Sequence, residues 1–265
     1  MGAGRSLGTL IARTRDARRV LAALVGASAL AALVGGPTTA AAGRACAGGT
    51  GADYSYAGHQ ASYRGHGVRA TIALTRAPSV EAGHVAGWVG VGGPGQGPNG
   101  EDEWIQAGIA SLPGAEPLLY AEVTREGGAP EFIPIEDGVA VGRSHRIAVL
   151  ETSGKPGWWR VWVDGHAATD PIELPGSSGR WAPIATAESW NAGTAACNAF
   201  AFRFERVSVS HGGGGSWRPF VSAHRFLDGS HTLHDLAAAP AVSGVSRSTQ
   251  ESSSVLPYGF VAASG

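Results

Sequence analysis

The chain is poor in charge and poorer still in lysine. Charged residues make up 15% of its 265 residues, against about 25% in an average globular protein, and Lys155 is the single lysine. No basic stripe is available to follow a phosphate backbone, which excludes nucleic acid as the natural partner. Long apolar runs are missing as well. The longest, Val20 to Val34, has 15 residues, short of the roughly 20 that a bilayer span requires. Cysteine is limited to Cys46 and Cys197, too few for a disulfide-dense scaffold. The Gly-rich stretch at 92–100 lacks the Lys-Ser/Thr of a phosphate loop and runs into Glu101-Asp102-Glu103, which would repel phosphate, so it reads as a surface loop. There is no Gly-x-Ser-x-Gly elbow for a serine hydrolase.

What is abundant is glycine, 41 residues, roughly twice the usual share. A hydrophobic content of 43% supplies a core and excludes whole-chain disorder. Arg5, Arg13, Arg15, Arg18 and Arg19 precede the apolar run, and an Ala-x-Ala site follows at Ala40 to Ala42. Residues 1–42 therefore read as a secretory signal peptide, with a secreted, extracellular product and no membrane partner after cleavage. The formal net charge of −1 becomes −5 once the leader's five arginines and one aspartate are removed. Export supplies an oxidising compartment, in which Cys46 and Cys197 read as one disulfide. That bridge would close a loop near 150 residues, for which the chain-entropy estimate is about 5 kcal/mol; the alternative is two buried thiols.

Beyond the leader the hydrophobic period is two. Val68–Leu74, His145–Leu150, Trp159–Val163 and Phe200–Val207 alternate as strands, with Gly, Pro and Asp between them. Asp164-Gly165 directly after Trp-Arg-Val-Trp-Val predicts a type I′ hairpin turn. Roughly ten such strands predict an all-β fold, a two-sheet antiparallel β-sandwich of concanavalin A-like jelly-roll type. The expected organisation is a signal peptide (1–42), an N-terminal arm (43–67) and one sandwich domain (68–265). Within that domain 211–217 is a Gly-rich loop and 218–265 adds closing strands.

Alternation also sorts the polar residues. In Trp104-Ile-Gln-Ala-Gly-Ile109 the aliphatic residues share one face, leaving Trp104, Gln106 and Gly108 on the other. In the segment 184–190 the same parity groups Ile184, Thr186, Glu188 and Trp190. Tyr120 with Glu122 repeats the arrangement, and Trp88 opens a Trp-Val-Gly-Val segment upstream. Aromatic rings beside isolated carboxyl or amide groups suit a groove for an extended polymer. A carboxylate held beside a water can act as base toward a peptide carbonyl and an amide N–H can stabilise the oxyanion that forms; on a solvated face the same groups would be ordinary polar residues.

These segments, in this order, resemble the eqolisin-type glutamic peptidases. The matching fragments are Trp88-Val-Gly-Val-Gly-Gly93, Trp104-Ile-Gln-Ala-Gly-Ile109, Tyr120-Ala-Glu122, the 141–149 strand and Ala185-Thr-Ala-Glu-Ser-Trp190, and the resemblance spans about residues 80 to 210. It implies a secreted acid protease on a lectin-like sandwich, with Gln106 and Glu188 catalytic and Trp88, Trp104, Tyr120, Glu122 and Trp190 lining the substrate site. The chain departs from the family's pattern at Gly92, where members often carry an acidic residue, and in having one glutamate rather than two in the late strand. A polypeptide substrate and a monomer are expected, with no metal and no organic cofactor. The rival reading is a non-catalytic, lectin-like carbohydrate binder that uses tryptophans as stacking platforms. A glycosidase would need Glu122 and Glu188 to flank one bond. His224, His231 and His234 match no established zinc spacing.

Overall fold

The computed structural model describes residues 54–220, 223–227, 231–236 and 258–264. The leader, Cys46 and the tail residues Val255 and Leu256 lie outside the described residues, and with Cys46 so does its expected pairing with Cys197. The chain begins with β1 (Ser55–Ala61), β2 (Gly67–Leu74), β3 (His84–Gly93), β4 (Glu103–Ser111) and β5 (Leu118–Thr124). It continues through β6 (Glu131–Asp137), β7 (Ser144–Glu151), β8 (Trp158–Val163), β9 (His166–Ala167), β10 (Ile172–Glu173) and β11 (Ile184–Trp190). It closes with β12 (Phe200–Ser210), β13 (Trp217–Pro219), β14 (Ala223–Leu227), β15 (His231–Asp235) and β16 (Tyr258–Ser264). One short 3-10 turn at Pro98–Gly100 is the only helical element among the described residues.

The strands make two antiparallel sheets, a β-sandwich of the jelly-roll type. One has seven strands in the order β14-β1-β11-β3-β4-β5-β6. The other runs β10-β8-β7-β2-β12-β16-β15, with β13 paired to β12 and β9 to β8. Between them lies a core of alternating side chains: Val85, Val89, Ile105, Ile109 and Leu119 from the first sheet meet Ile72, Ile147, Trp159, Phe202 and Phe204 from the second. Phe202 reaches across because Gly87 opposite it has no side chain; a Cβ there would stand 2.5 Å from the Phe202 ring. Alternation separates the tryptophans of β8 as expected, with Trp159 fully buried in the core and its neighbours only partly so.

The hairpin turn after β8 has positive φ at both Asp164 (51°) and Gly165 (89°), the type I′ requirement. Asp164 tightens it by accepting the Arg146 backbone N–H at 2.8 Å through Oδ1 and meeting His145 Nδ1 at 2.9 Å through Oδ2. Gly212–Gly215 is the turn that returns β12 toward β13, where the His211 N–H donates to the Ser216 carbonyl at 2.9 Å.

One boundary needs correcting. The segment expected as an arm, 43–67, contains β1, which pairs with β11 on one side and β14 on the other. The strand was hidden because its outward positions are Tyr56, Gly58 and Gln60 and its inward ones Ala57, His59 and Ala61, a mixture with little hydrophobic contrast. Gly58 is required there. A Cβ would lie 2.5 Å from the Thr186 Cα and side chain on β11.

Candidate active site

The site lies on the face of the seven-stranded sheet that points away from the core. On β4 the sequence alternation holds: Ile105, Ala107 and Ile109 are fully buried between the sheets, while Trp104, Gln106 and Gly108 take the opposite face. A second, smaller cluster covers that face, formed by Ala86, Trp88, Ala110, Leu118 and Tyr120 and flanked by Tyr56, Phe132 and Ile184.

Register brings the polar groups together. Gln106 stands opposite Gly90 on β3 and Glu122 on β5. Glu188 stands opposite Ala86 on β3 and Tyr56 on β1. Gln106 and Glu188 thus flank β3 from its two sides, offset by the four positions from Ala86 to Gly90, about 13 Å along the strand, as well as by two strand spacings across it. Trp88, between Ala86 and Gly90 on β3, opposes Gly108 and Thr186. Trp88 and Gln106 each have a glycine beside them. A Cβ on Gly108 would come within 2.7 Å of the Trp88 Cβ, and one on Gly90 within 2.8 Å of the Gln106 Cβ. The Trp-Val-Gly and Gln-Ala-Gly fragments are therefore steric devices as well as chemical ones.

Glu188 is 6% exposed and both its oxygens are engaged. Oε1 lies 3.0 Å from His84 Nε2, and Oε2 accepts the Trp88 indole N–H at 2.9 Å. Gln106, 7% exposed, donates from Nε2 toward the Tyr120 hydroxyl at 3.3 Å and toward Glu122 Oε1 at 3.5 Å. The same Glu122 oxygen accepts the Trp104 indole N–H at 3.0 Å. Tyr120 stacks on Phe132 at 5.1 Å. At the other end Trp190 stacks on Tyr54 at 5.7 Å, and Tyr54 also meets Tyr56 and His84.

All seven predicted residues therefore sit on one face. The sequence reading missed His84, Tyr54 and Tyr56. His84 carried a signal: it shares the parity of Ala86 and Trp88. Tyr54 and Tyr56 were hidden with β1. The tail histidines are dispersed, His224 exposed on β14, His234 exposed on β15, and His231 buried with Nε2 3.3 Å from Ser55 Oγ. No group of three or more His, Cys, Asp or Glu that could hold a metal is found among the described residues.

Burial is the main electrical influence on this face. It pushes the Glu122 carboxyl up to about 7, the Glu188 charge adds to the rise, and the Trp104 hydrogen bond and His84 oppose it. Burial, then Glu188 and Glu122, also push the phenols of Tyr120 and Tyr54 upward. A carboxyl whose folded value is raised contributes stability that is present below its unfolded value near 4.5 and lost as pH rises through about 7. Glu122→Gln removes that loss. The variant is expected to be more stable than the parent at pH 8 by on the order of 2 kcal/mol, and equal to it at pH 4. Thermal melts at the two pH values check this, and an equal difference at both would refute it.

No family model matches this chain, and no curated protein sequence matches it. Solved structures do resemble it. A scytalido-glutamic peptidase with a transition-state analogue inhibitor is 15% identical, with 80% of this chain and 98% of that one covered and a TM-score of 0.50. SCP-B, a member of the eqolisin family in complex with the tripeptide Ala-Ile-His, is 14% identical over 80% and 98% of the two chains, at a TM-score of 0.47. A Bacillus licheniformis β-glucanase is 15% identical over 50% and 56%, at 0.33. At these identities the likeness is one of fold, and the first of the three carries it: this chain shares the β-sandwich of a glutamic peptidase.

Proposed function

We propose that the protein is a secreted glutamic endopeptidase that hydrolyses peptide bonds with Glu188 and Gln106. A water against the Glu188 carboxylate loses a proton to it and attacks the peptide carbonyl. Gln106 Nε2–H donates to the oxyanion that forms, and the protonated Glu188 then gives its proton to the leaving nitrogen. His84 and Trp88 each occupy one Glu188 oxygen, and each oxygen keeps a second lone pair for the water. An extended substrate would cross β3 over Trp88, between aromatic walls at Trp190 and Tyr54 on one side and Trp104 and Tyr120 on the other. No metal or organic cofactor enters these steps.

The observation that carries the reading is the shared face: a buried carboxylate and a buried amide flank one strand, with an indole N–H between them. The test is hydrolysis of an unfolded protein from pH 2 to 8 by the mature chain. Activity at acid pH is expected to resist pepstatin and EDTA and to fall about 100- to 1,000-fold in Gln106→Ala. Full activity in that variant would sink the pairing. Loss of the leader at 1–42 and a Cys46–Cys197 disulfide belong to the same proposal, and the intact mass of the exported chain with and without reduction reads both. Carbohydrate binding is the second reading, favoured by the Tyr54–Trp190 stack, in which Tyr54 is 45% exposed. A glycan screen separates it.

A further inference from the structure

We infer that Glu122 is a positioning residue for Gln106: protonated, it holds the carbonyl end of the Gln106 amide and turns the NH2 end toward the reacting face; ionised, it draws the NH2 end to itself. The catalytic consequence rests on the peptidase reading, but the geometry does not.

Glu122 and Gln106 are directly opposed on neighbouring strands and share the outer face. Glu122 Oε1 is fixed by the Trp104 N–H at 3.0 Å. That oxygen can accept from Trp104 in either protonation state, and once it carries a proton it also has an O–H to give. An amide offers donors at one end and acceptors at the other. A carboxylate can only accept, so the ionised form must face the NH2 end. A carboxylic acid can donate, so the protonated form can face the carbonyl end. The two ends of an amide have nearly the same shape, so the turn disturbs no packing. The bonds that hold Gln106 in place are long, 3.5 Å to Glu122 and 3.3 Å to the Tyr120 hydroxyl, at the weak limit of hydrogen bonding, and a single added O–H donor outweighs them.

The charges that bear on Glu122 are few. β11 brings Glu188, β3 brings His84, and the residue before β1 brings Tyr54. Tyr120 lies on its own strand. β4 presents the neutral Trp104 and Gln106, and β6 presents Phe132 directly opposite. Burial and the Glu188 charge raise the Glu122 carboxyl to about 7, so the oxyanion donor is available below that pH and withdrawn above it. Acid activity then follows from the orientation of Gln106 as well as from any proton needed by the leaving group.

The side-chain NH2 of Gln106 reports the turn without any need for activity. In 15N–1H spectra from pH 4 to 9, its signal, identified by its absence in Gln106→Ala, is expected to shift with a midpoint near 7. In Glu122→Gln the shift should vanish. A flat titration in the parent, or an unchanged one in Glu122→Gln, overturns the inference whatever the protein hydrolyses. In the peptidase assay the alkaline limb of kcat is expected to move up by at least one pH unit in Glu122→Gln, with KM within about twofold, because an oxyanion exists only beyond the ground state. A limb that stays in place overturns the inference too. Activity that survives in Glu188→Gln removes the peptidase reading instead, and the titration of Gln106 then decides on its own.

Discussion

Glu188→Gln is expected to lose peptide hydrolysis by about a thousandfold or more at every pH while the protein stays folded. General acid–base transfer by a positioned group contributes about 100- to 10,000-fold, and in the proposed mechanism Glu188 serves twice, as base toward water and as acid toward the leaving amine. The replacement has the shape of the original. Its remaining oxygen still accepts the Trp88 N–H, now met at 2.9 Å by Oε2, and its NH2 faces His84 Nε2, which accepts in one tautomer of the ring. Structure is therefore kept and the proton acceptor removed. Initial rates on a denatured protein, with far-UV circular dichroism to confirm folding, measure both. A folded variant with more than a tenth of the parent's rate would remove Glu188 from the chemistry.

The second large effect is on stability. Phe202→Ala is expected to cost about 3–5 kcal/mol, lowering the melting temperature by about 10 °C. Phe202 is fully buried, and its ring fills the space left by Gly87 on the facing sheet. The backbone of β3 cannot collapse into the vacated space, since β3 is hydrogen-bonded on one side to β11 and on the other to β4. The cavity therefore persists, and it lies directly beneath the strand that carries Trp88. Thermal unfolding measures the loss; a fall of less than about 1 kcal/mol would mean that the two sheets can close over the gap.

Much of this was legible from alternation alone. Ile105, Ala107 and Ile109 could only face a core, which forced Gln106 to the other side, and the same reasoning carried Glu188 and Tyr120 to that face. Parity does not specify which strands are neighbours. Nothing in the sequence says that the strand of Glu188 lies beside the strand of Trp88, or that Glu122 stands opposite Gln106; those facts belong to sheet order. β1 escaped for a different reason. Its inward face carries the polar His59 and its outward face Tyr56, Gly58 and Gln60, so there is little hydrophobic contrast to alternate against. The raised carboxyl of Glu122 depends on what covers it, and the sequence revealed only that an acid followed a tyrosine.

The sheet order also determines when the site can come into being. Ser55 reaches Ser189 across 134 residues of chain, and Thr75 reaches Ala201 across 126. A strand pairing in each sheet, β1 with β11 and β2 with β12, thus joins the beginning of the described chain to its last third. Loop-closure entropy has to be met before such distant contacts stabilise anything, so folding is slow compared with that of a protein built from local hairpins. A chain emerging from the ribosome holds Gln106 well before it holds Glu188, has no partner for β1 until β11 arrives, and pairs only one side of β2, with β7, until β12 follows. Assembly is consequently a late, concerted event, and truncated synthesis products lack a working centre.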